Sequence, residues 1–324
     1  MASLDQIKAP VKEELKEFEK YFGQYMKSNV SLLDIIIKYV LKSKGKQMRP
    51  MLVLLSAKLF GEITTDTFHA ASMIELMHTA TLIHDDVVDE SYKRRGMFSV
   101  NALWRNKISV LIGDYLLAKG MLLAVDNSAF DSLRIVSDAV KEMSEGELLQ
   151  IEKARKLDIS EELYFEIIRK KTAVLIAACS ASGAQTAKAS TGNIQKIKSM
   201  GESIGIAFQI KDDLFDFIPG NKTGKSAGND IREKKITLPL IYALHQVSSA
   251  EKKQILKIIS SKSPSKTQLK SVIEFVEKKG GFEYAAKRMD EYKMKATDIL
   301  MSFPESLARA SLLEFVEYVT SRDK

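Results

Sequence analysis

The sequence contains little of what punctuates or cross-links a protein chain. Among its 324 residues are a single cysteine, six prolines and sixteen glycines. One cysteine excludes an intrachain disulfide and fits a reducing compartment. We interpret Cys179, in the small apolar stretch LIAACSASGA, as a packing residue. Because helix breakers are few and no repeat or composition shift marks a boundary, we predict one helix-rich domain spanning residues 1–324.

Several functional classes lack their usual sequence signals. No uninterrupted apolar run reaches the ~18 residues of a membrane span, and the amphipathic N-terminus has no signal-peptide core. Together these features predict a cytoplasmic protein without a transmembrane segment. Nucleotide chemistry is disfavoured because neither a P-loop nor a GxGxxG motif occurs. The net charge of +7 suits an anionic partner. The sequence lacks the basic cluster interleaved with aromatics that would indicate nucleic-acid binding.

Apolar residues recur three and four positions apart along most of the chain, which is the spacing of amphipathic helices. No stretch alternates as a strand would, so we predict an all-α protein. The expected helices cover 6–26, 47–60, 64–91, 106–126, 132–154, 159–187, 190–218, 236–245, 265–278, 282–300 and 305–321. The glycine-rich stretch 219–230 interrupts the pattern and is predicted to be a mobile loop.

Two aspartate clusters are the strongest chemical signal. They comprise Asp85, Asp86 and Asp89 in DDVVD and Asp212, Asp213 and Asp216 in DDLFD. The first and last residues of each cluster lie four apart, on one face of a helix. Both clusters follow apolar stretches, so burying them requires a compensating cation. Oxygen ligands favour Mg²⁺ or Mn²⁺ over zinc, and Mg²⁺ often completes its shell with water and substrate phosphates.

Basic residues near these clusters predict a second anion site that needs no metal. They are Lys46, Arg49, Arg94, Arg95, Lys171, Lys225 and Lys235. The stretch KGKQMRP stands at an expected helix start, where free backbone N–H groups also favour anions. The residues therefore predict two anion sites, one bridged by metal and one bound by arginine and lysine alone.

These residues match a known family, since the chain resembles the trans (head-to-tail, E-type) polyprenyl diphosphate synthases of the long-chain type. The matching pieces, in the family's order, are GKQMRP, ELMHTATLIHDDVVDESYKRRG, GDYLLA, MSEGELLQ, KTAVL, GIAFQIKDDLFD and GKSAGNDIREKKITLP. The resemblance implies an isoprenoid-synthase-type antiparallel helical bundle around a central cavity, usually homodimeric. It implies sequential condensation of isopentenyl diphosphate onto an allylic diphosphate.

The resemblance also implies roles for single residues. Asp85, Asp89, Asp212 and Asp216 would bind the metal. The metal would be Mg²⁺, at about three ions per site, with Mn²⁺ as a substitute. Isopentenyl diphosphate would be bound by Gly45, Lys46, Arg49, His78 and Arg95. The allylic diphosphate would be bound by Arg94, Lys171, Lys225 and Lys235. The catalytic set that lines the leaving-group and cation region would be Lys171, Thr172, Gln209 and Lys225. One departure is Lys234, which stands where the family commonly has glycine.

Residues that precede the first cluster predict the length of the product. Thr81 and Ala80, four and five residues before Asp85, are small. In members that stop at short products, aromatic side chains near these positions form a floor. Without that floor the growing chain should continue toward Met77, one helical turn further on. We therefore expect a product of about C30 to C45, with about C35 to C40 favoured, on the basis of this turn-by-turn spacing.

Three alternatives stay open from the residues alone: a short-chain (farnesyl or geranylgeranyl) synthase, a class I terpene cyclase and an inactive regulatory subunit of a heteromeric synthase. A cyclase normally carries a different second metal motif and needs no second diphosphate site. A regulatory subunit generally loses the aspartates or the basic set, and both are intact here. For an active synthase, transient membrane contact during product release is also expected.

Overall fold

A computed structural model of the chain describes residues 3–42, 45–94, 96–154, 160–218, 228–261 and 263–321. These residues form α-helices, together with one short 3₁₀ turn, one π-helical segment and a hairpin of two two-residue strands. This confirms the all-α prediction. The helices are α1 Leu4–Lys8, α2 Lys12–Tyr25, α3 Ser31–Lys42, α4 Met48–Phe60, α5 Thr65–Val88, α6 Val100–Asp126, α7 Phe130–Ala154, α8 Glu161–Ile168, α9 Val174–Thr186, α10 Thr191–Asp216, α11 Asn229–Arg232, α12 Leu238–His245, α13 Ser249–Ser260, α14 Lys266–Lys278, α15 Gly281–Met301 and α16 Leu307–Ser321.

Helix α9 runs through the middle of the bundle and is buried on nearly every side. Its small residues allow neighbouring backbones to approach closely. A β-carbon on Gly183 would stand 2.1 Å from the carbonyl oxygen of Val53 in α4, so only glycine fits there. Cys179 of this helix is fully buried, and burial raises its thiol pKa to about 12, which agrees with a packing role.

Helices α3, α11 and α13 and one hairpin were not anticipated from the sequence. Helix α3 contains the run Ile35–Ile37, and β-branched residues in a short apolar segment do not distinguish helix from strand. Helix α13 is short and rich in lysine, so its apolar stripe is thin. The hairpin pairs β1 (Lys93–Arg94) with β2 (Met97–Phe98), and two-residue strands are too short to show alternation.

Other predicted boundaries also shifted. The expected helix 159–187 is divided by a π-helical segment, Arg169–Ala173, and the expected start at residue 106 lies inside α6. Helix α6 begins at Val100 and is broken at Arg105, whose φ is 65°. Residues 219–227 of the predicted loop lie outside the described residues. Gly228 is the N-cap of α11, which begins at Asn229, so the loop prediction was wrong at its end.

Among the described helices, α6 alone is long and apolar enough to cross a membrane, judged by length and composition. The sequence predicted no membrane span because no uninterrupted apolar run is long enough. In α6, Asp114 and Lys119 interrupt the apolar run. In the structure α6 packs along α5, and 39% of its most apolar window is buried within the protein. Length and composition do not by themselves make α6 a membrane span.

Candidate active site

Both aspartate clusters lie at the carboxyl-terminal ends of long helices. Helix α5 ends at Val88 with Asp89 as its C-cap, and α10 ends at Asp216. The helix dipole places partial negative charge at this end, which disfavours carboxylates. Two helices that each gather three aspartates at the wrong pole therefore call for a cation.

The middle aspartate of each cluster is held by the protein itself. Arg94 donates to the Asp86 carboxylate, with Nε 2.9 Å from Oδ1 and Nη2 at 2.8 Å. Asp213 accepts a hydrogen bond from the Tyr164 hydroxyl at 2.7 Å and another from Gln209 Nε2 at 2.9 Å. Burial raises the pKa of Asp213 to about 7, and the charges of Asp230 and Asp212 add to this effect. Asp86 and Asp213 are thus held by side chains of the protein itself.

Asp85, in the first cluster, has a raised pKa. Burial and, after it, the nearby charge of Glu147 together raise this pKa to about 6. Lys171 and Arg94 act in the opposite direction and lower it. A carboxylate that is this costly to ionise near neutral pH is well suited to a divalent cation, which would favour its charged form.

The π-helical segment carries Lys171 between α7 and α10. Its ammonium pairs with Glu147 and donates to Gln150 Oε1 at 2.9 Å, both on α7. Close approach on each side depends on glycine. A β-carbon on Gly146 would stand 2.8 Å from the β-carbon of Lys170, and one on Gly205 would stand 2.4 Å from the α-carbon of Ala173. π-helical segments recur at functional sites, and here the segment delivers Lys171 beside Asp85.

Thr172 connects this segment to the second cluster. Its hydroxyl donates to Gln209 Oε1 at 2.9 Å, and Gln209 in turn donates to Asp213. The structure therefore brings together Lys171, Thr172 and Gln209 from the predicted catalytic set. Lys225, the fourth member, lies outside the described residues.

Residues 229–235 interact with carboxylates of both clusters. Burial lowers the pKa of Lys235, but the carboxylates of Glu233, Asp230 and Asp89 more than compensate and raise it overall. Asp216 accepts backbone hydrogen bonds from Asn229 and Asp230, at 3.1 and 3.0 Å, so it anchors α11 as well as ending α10. The charges of both clusters thus meet around this segment.

Lys234 adopts the left-handed conformation that glycine favours. Its φ is 59°, which explains why glycine is common at this position in the resembling family. The turn is retained despite the side chain, and it leaves Lys235 beside the Asp89 carboxylate described above.

Most residues predicted to bind isopentenyl diphosphate border one cavity of about 340 Å³. Gly45, Lys46, Arg49 and the allylic-site residue Arg94 all line it, together with aromatic side chains of α2 and α3. Arg49 is paired with Glu75 at 2.6 Å. His78 lies half-buried on α5, and Arg95 lies outside the described residues.

The basic end of this cavity is also tied to the last helix. The Lys46 ammonium lies 3.0 Å from the hydroxyl of Tyr318 in α16. This contact connects one lysine of the cavity lining to the carboxyl-terminal helix.

The three predicted chain-length residues line up on α5. Ala80 and Met77 are buried, and Thr81 is half-buried with its hydroxyl donating to the His78 carbonyl at 2.9 Å. A β-carbon on Gly120 of α6 would stand 3.3 Å from Met77 Cγ, so the two helices are in close contact at this level.

No three His, Cys, Asp or Glu side chains converge closely enough to enclose a metal ion within the described part of the chain. Mg²⁺ is usually bound by one or two carboxylates, with water and substrate phosphates completing its shell. The oxygen-only donors and the cost of ionising Asp85 fit a hard divalent cation.

Four contributors to the site received no role from the sequence. Glu147 and Gln150 hold Lys171, Glu75 holds Arg49, and Tyr164 holds Asp213. Glu147 and Gln150 belong to MSEGELLQ, which was matched as a motif without assigned residues. Tyr164 has no local signal, because its partner is 49 positions away.

Comparison with known proteins gives a consistent result. The family model described as polyprenyl synthetase matches residues 30–276. The chain is 36% identical over 320 residues to the all-trans-nonaprenyl-diphosphate synthase (geranyl-diphosphate specific) of Rhodobacter capsulatus, covering 98% of this chain and 97% of that one. It is 33% identical over 302 residues to octaprenyl diphosphate synthase of Escherichia coli, covering 93% of each chain.

Among solved structures, a polyprenyl synthase from Caulobacter crescentus, complexed with calcium and isoprenyl diphosphate, superposes with a TM-score of 0.90. It is 31% identical, and the match covers 99% of this chain and 98% of that one.

Proposed function

The chain belongs to the polyprenyl synthetase family, and from this premise we propose that it builds long-chain trans polyprenyl diphosphates by adding isopentenyl diphosphate units to an allylic diphosphate. The observation that carries the proposal is the pair of aspartate clusters at two helix C-termini, linked through Lys171, Thr172 and Gln209. The regulatory-subunit reading is disfavoured because both clusters and the described basic residues are intact.

The proposed reaction breaks the C1–O bond of the allylic diphosphate, and the bonding electrons leave with diphosphate. The double bond of isopentenyl diphosphate then forms a new bond to that carbon, and the released diphosphate takes the proton lost from the adjacent carbon. Lys171 and Arg94 place positive charge beside Asp85, where the departing diphosphate would be stabilised. Lys225 and Lys235 would contribute further positive charge from the segment that follows α10.

Oxygens of Thr172 and Gln209 would stabilise the allylic cation. Gly45, Lys46, Arg49, His78 and Arg95 would bind the second diphosphate, and the first three of these line the cavity described above.

The family uses a divalent metal to bind diphosphate substrates, and the Caulobacter protein was solved with calcium. We propose that Asp85, Asp89, Asp212 and Asp216 hold Mg²⁺ here, at about three ions per site, with Mn²⁺ as a substitute. When bound, the metal supplies positive charge that offsets both the carboxylates and the diphosphate.

Product size is proposed as about C35 to C40, because α5 offers no aromatic floor one turn before Asp85. Purified protein incubated with labelled isopentenyl diphosphate, farnesyl diphosphate and Mg²⁺ is expected to yield long polyprenyl diphosphates. Chromatography of the dephosphorylated products measures their length, and EDTA should abolish them. Failure to incorporate isopentenyl diphosphate would indicate a cyclase or an inactive subunit, and a C15 or C20 product would indicate a short-chain synthase.

We also propose that the protein is a homodimer paired through α6. The outward face of this helix is apolar at helical spacing, and its exposed members are Leu103, Val110, Leu111, Met121, Leu122 and Val125. Leu111 and Leu122 keep 55% and 56% of their surfaces exposed, and contiguous apolar surface of this kind marks an interface. A second copy related by a twofold axis would cover the face with itself.

The double substitution Leu111→Arg and Leu122→Arg is expected to convert the dimer into a monomer, because two buried charges would face two others across the axis. Light scattering after size exclusion measures the mass. Met294→Arg with Leu307→Arg, which changes exposed apolar residues on α15 and α16, should leave the dimer intact. A monomeric wild-type protein would contradict this proposal.

The cytoplasmic location and transient membrane contact during product release stay predictions. Cell fractionation measures the first. Sedimentation with liposomes, with and without bound product, measures the second.

A further inference from the structure

Four hydrogen-bonded side chains form a continuous line from α8 to the π-helical segment. The Tyr164 hydroxyl donates to Asp213 Oδ2 at 2.7 Å, and Gln209 Nε2 donates to Asp213 Oδ1 at 2.9 Å. Thr172 then donates its hydroxyl hydrogen to Gln209 Oε1 at 2.9 Å. Tyr164 and Asp213 are 4% and 5% exposed, so solvent does not compete for the inner end of this line.

The carboxylate at the inner end determines the direction of every later hydrogen bond. Both Asp213 oxygens accept, one from Tyr164 and one from Gln209, so Gln209 turns its NH₂ group toward Asp213 and its carbonyl toward Thr172. The Thr172 hydroxyl has one hydrogen and gives it to that carbonyl. The Thr172 oxygen can therefore offer only its two lone pairs to any other partner. Oxygen lone pairs stabilise a nearby carbocation.

We propose that Tyr164 is a positioning residue for prenyl transfer, which fixes the orientation of the Asp213 carboxylate and through it the polarity of Gln209 and Thr172. This inference rests on the proposed function. Tyr164 does not touch the reacting atoms, since three hydrogen bonds separate it from Thr172. Without its hydroxyl, Oδ2 of Asp213 loses its donor, the carboxylate can rotate, and the Gln209 amide is no longer held one way round.

Replacing Tyr164 with phenylalanine tests the proposal. Tyr164→Phe is expected to lower kcat about 10- to 100-fold, the usual effect of losing a partner that orients a functional group. KM for both diphosphates should change less than about twofold, because the groups predicted to bind them are untouched. Tyr284→Phe is the matched control, since it also removes a hydroxyl that donates to a carboxylate, Glu161, at 2.7 Å. That variant should retain wild-type kcat.

A second background separates positioning from mere folding. In Thr172→Val protein, whose hydroxyl is gone, Tyr164→Phe should cause no further loss of kcat. An equal loss in both backgrounds, or wild-type kcat in Tyr164→Phe alone, would overturn the proposal. Thermal unfolding of each variant shows whether the fold persists. Wild-type enzyme is assayed beside them, so failure of the proposed function would show as absence of any prenyl product from it.

Discussion

Asparagine in place of Asp85 is expected to reduce prenyl transfer at least about 1,000-fold while making the substrate-free protein more stable at pH 8. Activity should fall because the proposed metal loses a carboxylate ligand next to the departing diphosphate. Stability should rise because the substitution removes a partly buried charge at the negative end of α5. A loss of activity together with a gain in stability is the combination expected when a metal ligand is replaced.

The stability gain should depend on pH in a defined direction. Burial raises the pKa of Asp85 from 3.8 to about 6, so the folded protein binds its proton more tightly than the unfolded chain does. The wild-type protein therefore loses stability as the pH rises from about 4 to 6, the window set by these two pKa values. Above it, Asp85→Asn should be more stable by on the order of 1 kcal/mol, since solvent screening weakens the penalty at a partly open site.

Thermal unfolding at pH 4 and pH 8 measures this difference, and product assays with Mg²⁺ measure activity. Asp290→Asn, at an exposed position on α15, serves as the control and should change neither quantity. Mg²⁺ with diphosphate should raise the unfolding temperature of the wild-type protein at pH 8 more than that of Asp85→Asn. Wild-type activity in Asp85→Asn would exclude Asp85 as a metal ligand.

Phenylalanine at Thr81 or Ala80 is expected to shorten the product from about C35–C40 to roughly C15–C20. One helical turn rises about 5.4 Å, so a ring this close to Asp85 would block the chain after a few isoprene units. Thr81 is the gentler site because it is half-buried. Ala80 is fully buried, so a ring there also costs about 1–3 kcal/mol of stability through overpacking.

Thr81→Val separates bulk from chemistry. It removes the hydroxyl that donates to the His78 carbonyl but adds no volume, so the product should keep its wild-type length. Chromatography of dephosphorylated products distinguishes these outcomes, with unfolding temperatures recorded beside them. Long products from folded Thr81→Phe and Ala80→Phe proteins alike would refute the proposed path along α5.

The sequence predicted most elements of the bundle because long helices carry their own periodic signal. Helices α5 and α10 were placed to within a few residues, together with the clusters they carry. Helix α3 was missed because a short isoleucine-rich run is compatible with helix or strand. The π-helical segment was missed because the KTAVL stretch looks continuous with its flanking helices and contains no breaker.

The candidate site was only partly visible in the same way. Its charged groups can be identified from residue type and spacing. The two aspartate clusters and the described basic residues were therefore predicted without a structure. Their partners Glu147, Glu75 and Tyr164 are ordinary residues whose value depends on where they lie. Gly146 and Gly205 likewise look unremarkable in the sequence, yet they let α7 and α10 close on the segment that carries Lys171.

Helical periodicity and motif spacing are local properties, so the helical class, the two acidic clusters and the family of this chain could be predicted from its amino-acid sequence. The packed fold establishes that Arg94 pairs with Asp86, that Tyr164 and Gln209 bind Asp213, and that burial raises the pKa of Asp85. Those outcomes depend on burial and on partners from distant helices, such as Tyr164 for Asp213 and Glu147 near Asp85. Electrostatic free energies depend on distances in space, and these arise only when the helices pack together.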